Sequence, residues 1–494
     1  MKGAIAAGSE AAVDAGIYAL RKGGNAIDAL ISAQLTATVS EPLLTGLCGS
    51  GIAILHNGTS STSIDMFSTH PGLGEYISHD LDTITINFGP TSQDFSIGLG
   101  SIATPTLWKG ILELHSLANL PLATLAEPAI QAARNGIHVN RTLAYVLEIL
   151  WPICSFSKGL RDLFSIKNRR LIEGDIFYAP QMALDIENFV EFREHFFTKG
   201  RISSLIWPFL QERSSLTKTD VLQYEVRTSI PKIIPFHDSQ IILPGAPSIG
   251  SEYVSRNLLK LSDDATKLDI IDAQVRTCQE VDRSVLQEIF TKSNESTSFS
   301  NFSEISAGFT SHISVVDGDG FAAGLTSSLG ESCGYVIPET GLIMNNFLGE
   351  DDVCPEFIHN RCGERLMTMC TPTIIRSPDS VTVMGSGGST RIRTAILHGI
   401  VNTIQKKLPL SDAIHSPRIH IEPNLIQLEL YQQPENLLQE IKAHSTYKHY
   451  DLEYFDEPSM FFGGLHSAKR MNVDDDVQYF AIGDPRRDGV GKVL

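Results

Sequence analysis

The sequence predicts a layered α/β architecture. Three observations carry that expectation: Ala-rich helical stretches near the start, alternating hairpin patterns in the third quarter, and a Gly-rich turn at 385–389 that leads from a strand pattern into a helical one. The chain has 494 residues, 42% apolar and 19% charged, with no low-complexity run, which is the composition of a globular protein with a sizeable core. A formal net charge of −18 argues against a nucleic-acid partner, since phosphate binding needs clustered Lys and Arg. The most apolar region, 35–55, is interrupted by Glu41-Pro42 and several glycines, so no membrane-spanning segment and no membrane partner are expected. The seven cysteines are irregularly spaced, without CxxC pairs; free thiols are expected and a zinc site is not.

In chain order, MKGAIAAGSEAAVDAG carries Glu10 and Asp14 where a signal peptide would be apolar, so it does not read as one. Residues 8–21 read as a small-residue helix closed by GGN at 23–25, with Asn25 capping a second helix, AIDALISAQLTATV. LCGSGIAILHNGTSSTSIDMF reads as a hairpin turning at Asn57-Gly58. Residues 124–135 read as a helix with Pro128 early and Asn135-Gly136 as its stop. Residues 140–215 hold aromatic-rich helical patterns, and 216–250 read as a helix start, two strands and a Gly-Pro loop. DDATKLDIIDAQVRTCQEVDRSVLQEIF is a further helical region, and the polar run SNESTSFSNFSEISA at 293–307 reads as a linker. HISVVD-DGDG-FAAGLTSS reads as strand, turn, strand; GLIMNNFL and TPTIIRS…SVTVMGSGGS read as further strands; TRIRTAILHGIVNTIQKKL reads as an amphipathic helix.

The linker ends at GFTSH, directly in front of a strand. A cut between Phe309 and Thr310 would give Thr310 both a hydroxyl and a free α-amine. Such an amine has an ordinary pKa of about 7.7–8.0, so part of it is neutral near pH 7 and can take the proton of its own hydroxyl. The GSGGS turn offers successive backbone N–H groups at a helix start, an oxyanion or anion site; it lacks the Lys of a phosphate loop.

These motifs resemble the γ-glutamyltransferases (γ-glutamyltranspeptidases) of the N-terminal-nucleophile hydrolase superfamily. The likeness runs through LRKGGNAIDALISA, SEPLLTGLCGSGIAIL, Thr310-Ser311-His312-Ile313-Ser314-Val315-Val316-Asp317, GLIMNN at 341–346, TPTII, GSGGSTRI, SPRIH at 416–420 and DPRRDG at 484–489. The resemblance implies an α+β fold, a four-layer αββα sandwich. It implies a precursor that cuts itself before Thr310, leaving a heterodimer of its own fragments, 1–309 and 310–494. It makes Thr310 the nucleophile, Gly388 and Ser389 the oxyanion donors, and Ser328 the hydroxyl that bonds the new amine. Glu350 falls at the acid that grips a substrate ammonium, and Asn346 and Thr368 fall at substrate-binding positions. The implied substrate is a small molecule, glutathione or another γ-glutamyl amide, with water, an amino acid or a peptide as acceptor; no cofactor or metal is implied. Family members are commonly exported, so Met1 as the native start implies a cytoplasmic protein and a missing leader a periplasmic one.

Three departures touch substrate recognition. Phe67 stands where the family carries an arginine that pairs with the substrate α-carboxylate, Phe347 replaces an acid or amide, and Met369 replaces a serine. Removing the partner of a buried carboxylate costs about 2–5 kcal/mol. Arg391 or Arg393 is the candidate replacement cation. The expectation is therefore an N-terminal-threonine amidohydrolase with altered γ-glutamyl selectivity; the alternatives are an acylase for another amide, such as a glutaryl type, and an unprocessed, inactive relative. His312 reads as a packing or hydrogen-bonding residue, and Asp317 as part of the turn.

Overall fold

The computed structural model describes residues 2–74, 80–87, 92–281, 309–355, 361–474 and 476–494. The Ser/Asn-rich linker at 293–307 lies outside them. Two antiparallel sheets pack face to face between two helical layers, and each layer follows from where the apolar side chains point.

The first sheet has the strand order β4-β3-β2-β8-β7-β1-β13: Arg227–Ser229, Ser61–Met66, Ser50–His56, Ala322–Ser328, Thr310–Asp317, Gly3–Ala7 and Val490–Val493. The second has the order β5-β6-β9-β10-β11-β12: Lys232–Phe236, Ser239–Leu243, Thr373–Arg376, Ser380–Gly387, Gly464–Val473 and Asp476–Ile482. Successive side chains of a strand point to opposite faces. In β7, Ile313 and Val315 point to one face and pack with Ile27, Leu30 and Ile31 of helix α2 (Ala26–Ser40). Val316 points to the other face and meets Ile374, Val383 and Ala468 of the second sheet. The outer face of the second sheet, Ile241, Leu243 and Met384, packs against helices α4 (Ile249–Leu258), α5 (Lys267–Glu280) and α6 (Arg391–Ile400). The first helical layer is completed by α1 (Glu10–Arg21) and α3 (Leu122–Asn135). The result is the expected αββα sandwich.

Local chemistry explains the element ends. Asn25 caps α2: its side chain accepts from the Ile27 and Asp28 N–H groups, and Asp28 returns a 2.8 Å bond to the Asn25 N–H. Gly136, at φ 83°, stops α3 in a conformation that Gly adopts without strain. The short strand β4 was not expected from the sequence. Ile230-Pro231 follows it and carries the chain from the first sheet to the second.

One element was missed and two expectations are corrected. The N-terminal AIAA, to which the sequence reading assigned no element, is strand β1, buried between β7 and β13, where its small side chains fit a crowded central position. GLIMNNFL is not a strand. It makes one isolated bridge, Val336 to Ile343, and Asn345 ties the segment down by accepting from the Ala103 N–H (2.9 Å) and donating to Cys48 O (2.8 Å). Helix α6 is buried on every face, so its polar stripe is not a solvent face; Arg393, for instance, is paired to Glu422 at 3.0 Å. The seven cysteines are free, as expected.

Candidate active site

The β7–β8 hairpin sets the site. Its turn acid, Asp317, accepts from the Asp319 (3.0 Å), Phe321 (2.9 Å) and Ala26 (2.9 Å) N–H groups, tying the turn to the start of α2. The register then places Val316 opposite Ala322 and, at the far end, Thr310 opposite Ser328. A slip of one residue would turn both hydroxyls to the wrong face. Ser328 Oγ donates to the Phe309 carbonyl oxygen at 2.9 Å and accepts from the Gly330 N–H at 3.0 Å.

The start of β7 is held on both sides. Ser311 Oγ donates to Glu41 Oε2 at 2.7 Å, and Arg487 Nη1 donates to the Thr310 carbonyl at 3.1 Å. The end of β10 lies directly against Thr310: a Cβ at Gly387 would sit 1.9 Å from the Thr310 carbonyl oxygen. Gly388 follows at φ 122° and Ser389 at φ 47°, a left-handed conformation that costs a non-Gly residue about 1–3 kcal/mol and tends to occur at functional sites. Among the described residues, neither the Gly388 nor the Ser389 N–H is taken up by an acceptor. Ser389 Oγ donates to Asp352 Oδ2 at 2.6 Å.

Thr310, Ser328, Ser389, Glu350 and Thr368 meet around one cavity of about 20 Å³, room for roughly one water. Its other walls include Phe67, Phe347, Met369 and Asp352. Phe67 and Phe347 pack against each other, ring centroids 5.3 Å apart. Asn346 stands behind the wall: its Oδ1 accepts from the Glu331 N–H at 2.8 Å, and its Nδ2 reaches Glu331 Oε2 at 3.4 Å. Arg391 does not line the cavity; its Nε donates to Phe461 O at 3.2 Å and its guanidinium lies over the Phe461 ring. Arg393 is likewise committed, to Glu422 and the Tyr253 ring. Neither is presented as the expected replacement cation.

Burial drives the electrostatics. Glu331 is raised to about 8, first by burial and then by the neighbouring Asp352 charge. Glu350 is pushed well above the ordinary carboxylate range by burial, then by Glu331 and Asp352. Burial, then His466, holds His312 well below its ordinary value; its two ring nitrogens bond Thr326 Oγ1 and Ser314 Oγ, each at 2.8 Å, which makes it the structural residue expected.

The family comparison decides the assignment: the model described as gamma-glutamyltranspeptidase matches residues 12–285 and 273–494. The chain belongs to the γ-glutamyltranspeptidase family. It is 25% identical over 492 residues to the glutathione hydrolase proenzyme 1 of Schizosaccharomyces pombe, covering 86% of this chain and 76% of the relative. It is 23% identical over 468 residues to the acylase ACY 1 proenzyme of Pseudomonas sp. (strain V22), covering 87% and 84%. The structure resembles a cephalosporin acylase from Bacillus halodurans, with a TM-score of 0.77 at 20% identity over 99% of this chain and 95% of that one, which shows the shared fold.

In this γ-glutamyltranspeptidase-family chain, sequence reasoning missed four residues at the site. Glu41 and Arg487 lie inside motifs that carry the family likeness, yet their contact with residues 310–311 is visible only in three dimensions. Asp352 had a weak local signal in the acidic run after Gly349. Glu331 had none.

Proposed function

We propose that the chain cuts itself between Phe309 and Thr310 and then cleaves γ-glutamyl amide bonds, those of glutathione included, through an ester on Thr310. The observation that carries the reading is the Ser328 hydroxyl donating to the Phe309 carbonyl across the hairpin from Thr310. In the uncut chain, Thr310 Oγ attacks the Phe309 carbonyl carbon and the oxygen turns anionic under the Ser328 donor. The C–N bond breaks as its nitrogen takes up the hydroxyl proton. Water then hydrolyses the ester, leaving a Phe309 carboxylate and a free Thr310 amine. The products are a 1–309 and a 310–494 fragment that remain paired through the β1–β7 and β2–β8 strand contacts.

In the cut enzyme the Thr310 amine takes the proton of its own hydroxyl as Oγ attacks the substrate amide. The Gly388 and Ser389 N–H groups receive the tetrahedral oxyanion, and the amine returns the proton to the leaving nitrogen. Water, or an amino acid or peptide amine, then accepts the acyl group. Relatives named as proenzymes support the processing step. The Phe67–Phe347 wall and Met369 favour a second reading, an acylase for a different amide on the same chemistry.

Intact mass of the purified chain beside Thr310→Ala is the test. Two fragments meeting between Phe309 and Thr310, absent in the variant, are expected. A single uncut mass in both samples would refute the reading.

A further inference from the structure

A second cavity lies where α5, the C-terminal end of α6 and the SPRIH segment meet. Its volume is about 190 Å³, against about 20 Å³ beside Thr310, and the two share no residue. Ile270, Leu408 and Ile419 give it apolar walls. Its polar groups are Lys267, Lys406, Gln433 and Asn402, with His398 on the same helix as Asn402. Val401–Gln405 continues α6 as a π-helical turn, in which the Lys406 N–H donates to Val401 O, five residues back, at 3.0 Å. Such turns are rare and recur at functional sites. Here the turn brings Lys406 onto the cavity that His398 and Asn402 line from four and eight residues before it.

The charge of this cavity is of one sign. The chain carries 57 acidic residues against 39 basic ones, yet among the described residues that line the cavity there is no Asp or Glu. Each lysine is held by a neutral amide rather than by a carboxylate: Lys267 Nζ donates to Gln433 Oε1, and Lys406 Nζ donates to Asn402 Oδ1 at 3.1 Å. The amides orient the ammonium groups and leave their charge uncancelled. The acids next to Lys267 in the chain are turned elsewhere. Asp269 accepts from the Thr266 N–H (2.8 Å) and hydroxyl (2.7 Å) as the cap of α5, and Asp264 accepts from the Ser262 hydroxyl at 3.0 Å. Burial, then the Lys406 charge, lowers Lys267 to about 8. Burial, then Lys406, pushes His398 down to about 3, so its ring is a neutral wall. Gln433 Nε2 is buried and has no acceptor among the described residues. Two like charges and an unpartnered buried donor in one cavity are costly until an acceptor of negative charge enters.

We propose that this cavity is an anion site, separate from the Thr310 centre, that takes the dianionic phosphoryl group of inorganic phosphate or of a small phosphate monoester. Two ammonium groups match a dianion, and a phosphate monoester carries close to two charges above its second pKa of about 6. A lysine has three N–H donors, so each ammonium keeps two after its bond to an amide, and phosphoryl oxygens can accept all of them together with the Gln433 amide. A carboxylate brings one charge to two ammonium groups and satisfies the site half as well. The apolar walls are what a monoester adds a use for: Ile270, Leu408 and Ile419 can pack against its organic part.

The test is isothermal titration calorimetry of the purified full chain with inorganic phosphate, phenyl phosphate, acetate and chloride, at one pH near 7.5 and constant ionic strength, because salt screens exposed charges. Inorganic phosphate or phenyl phosphate should bind saturably at one site per chain, with acetate and chloride at least about tenfold weaker. Tighter binding of phenyl phosphate marks a monoester as the ligand; binding of inorganic phosphate at least as tight marks the free ion. Lys267→Met and Lys406→Met keep the apolar stem and remove the charge, and each should weaken binding by about tenfold. Lys407→Met, which removes an exposed lysine one residue away that does not line the cavity, should leave binding within about twofold. Melting curves establish that each variant is folded; should Lys267→Met fail to fold, Lys406→Met at the exposed rim carries the comparison with Lys407→Met. No saturable binding of either phosphate, acetate or chloride binding as tightly, or an equal loss in Lys406→Met and Lys407→Met would overturn the inference.

Discussion

Replacing Ser328 by Ala should slow self-cleavage by about 10²–10³-fold, the loss of about 2.7–4 kcal/mol that follows removal of one oxyanion donor. The structure gives the reason: Ser328 Oγ is 2.9 Å from the Phe309 carbonyl oxygen, which would turn anionic in the proposed attack by Thr310. The same hydroxyl accepts from the Gly330 N–H at 3.0 Å, so the variant also leaves that buried donor unpaired, at about 1–3 kcal/mol of stability. The two effects separate experimentally. Thermal unfolding reports the second, while a gel or mass time course after a short expression pulse reports the first. Ser328→Thr restores the hydroxyl and should restore cutting to within a few-fold. The reasoning fails if Ser328→Ala, folded by its melting curve, matures within about threefold of the wild-type rate.

Other consequences are direct. Gly387→Ala should block maturation, because its Cβ would lie 1.9 Å from the Thr310 carbonyl oxygen; fragments on a gel at wild-type yield would contradict this. Thr310→Ser should still cut, since it keeps the hydroxyl, whereas Thr310→Ala should not; mass spectrometry separates the two. Asp484 pairs with Arg418 at 2.5 Å and Arg486 at 3.2 Å in a fully buried cluster, so Asp484→Asn should cost about 3–5 kcal/mol in denaturant unfolding. Despite its burial, those two arginines hold the Asp484 carboxyl below its ordinary range. Its stabilisation is therefore present above the unfolded value of about 3.9 and is lost as pH falls through the depressed folded value, so acid unfolding should begin below about pH 4. Glu331 has the opposite sign. With its folded pKa raised to about 8, stability present below the unfolded carboxylate value of about 4.3 is lost as pH rises toward 8. Glu331→Gln should melt above wild type at pH 8 and approach it near pH 4; a constant gap in differential scanning fluorimetry would dismiss this.

Much of the site was legible in the sequence because its signals are local. The Asp-Gly turn after Val316 fixes a hairpin, and the hairpin's register alone brings Thr310 and Ser328 face to face. GSGGS allows the positive φ at Gly388 and the close approach at Gly387. Capping at Asn25 and the stop at Gly136 were equally local. AIAA, left without an element, and GLIMNN, read as a strand, share a cause: each is decided by distant partners, two flanking strands for the first and the Ala103 and Cys48 backbone for the second.

The sequence by itself, through local motifs and the family they resemble, pointed to Thr310 and the GSGGS turn as the proposed nucleophile and oxyanion site, to the αββα order of layers and to Phe67 in place of an arginine. Only the tertiary structure decided where Arg391 and Arg393 go, that Glu41 and Arg487 grip the start of β7, and that Glu331 stands beside Glu350 and Asp352 at the cavity. The physical reason is range. Turns, caps and hairpin register depend on neighbours in the chain, whereas the charge of a buried pocket depends on groups that meet only after the layers have packed.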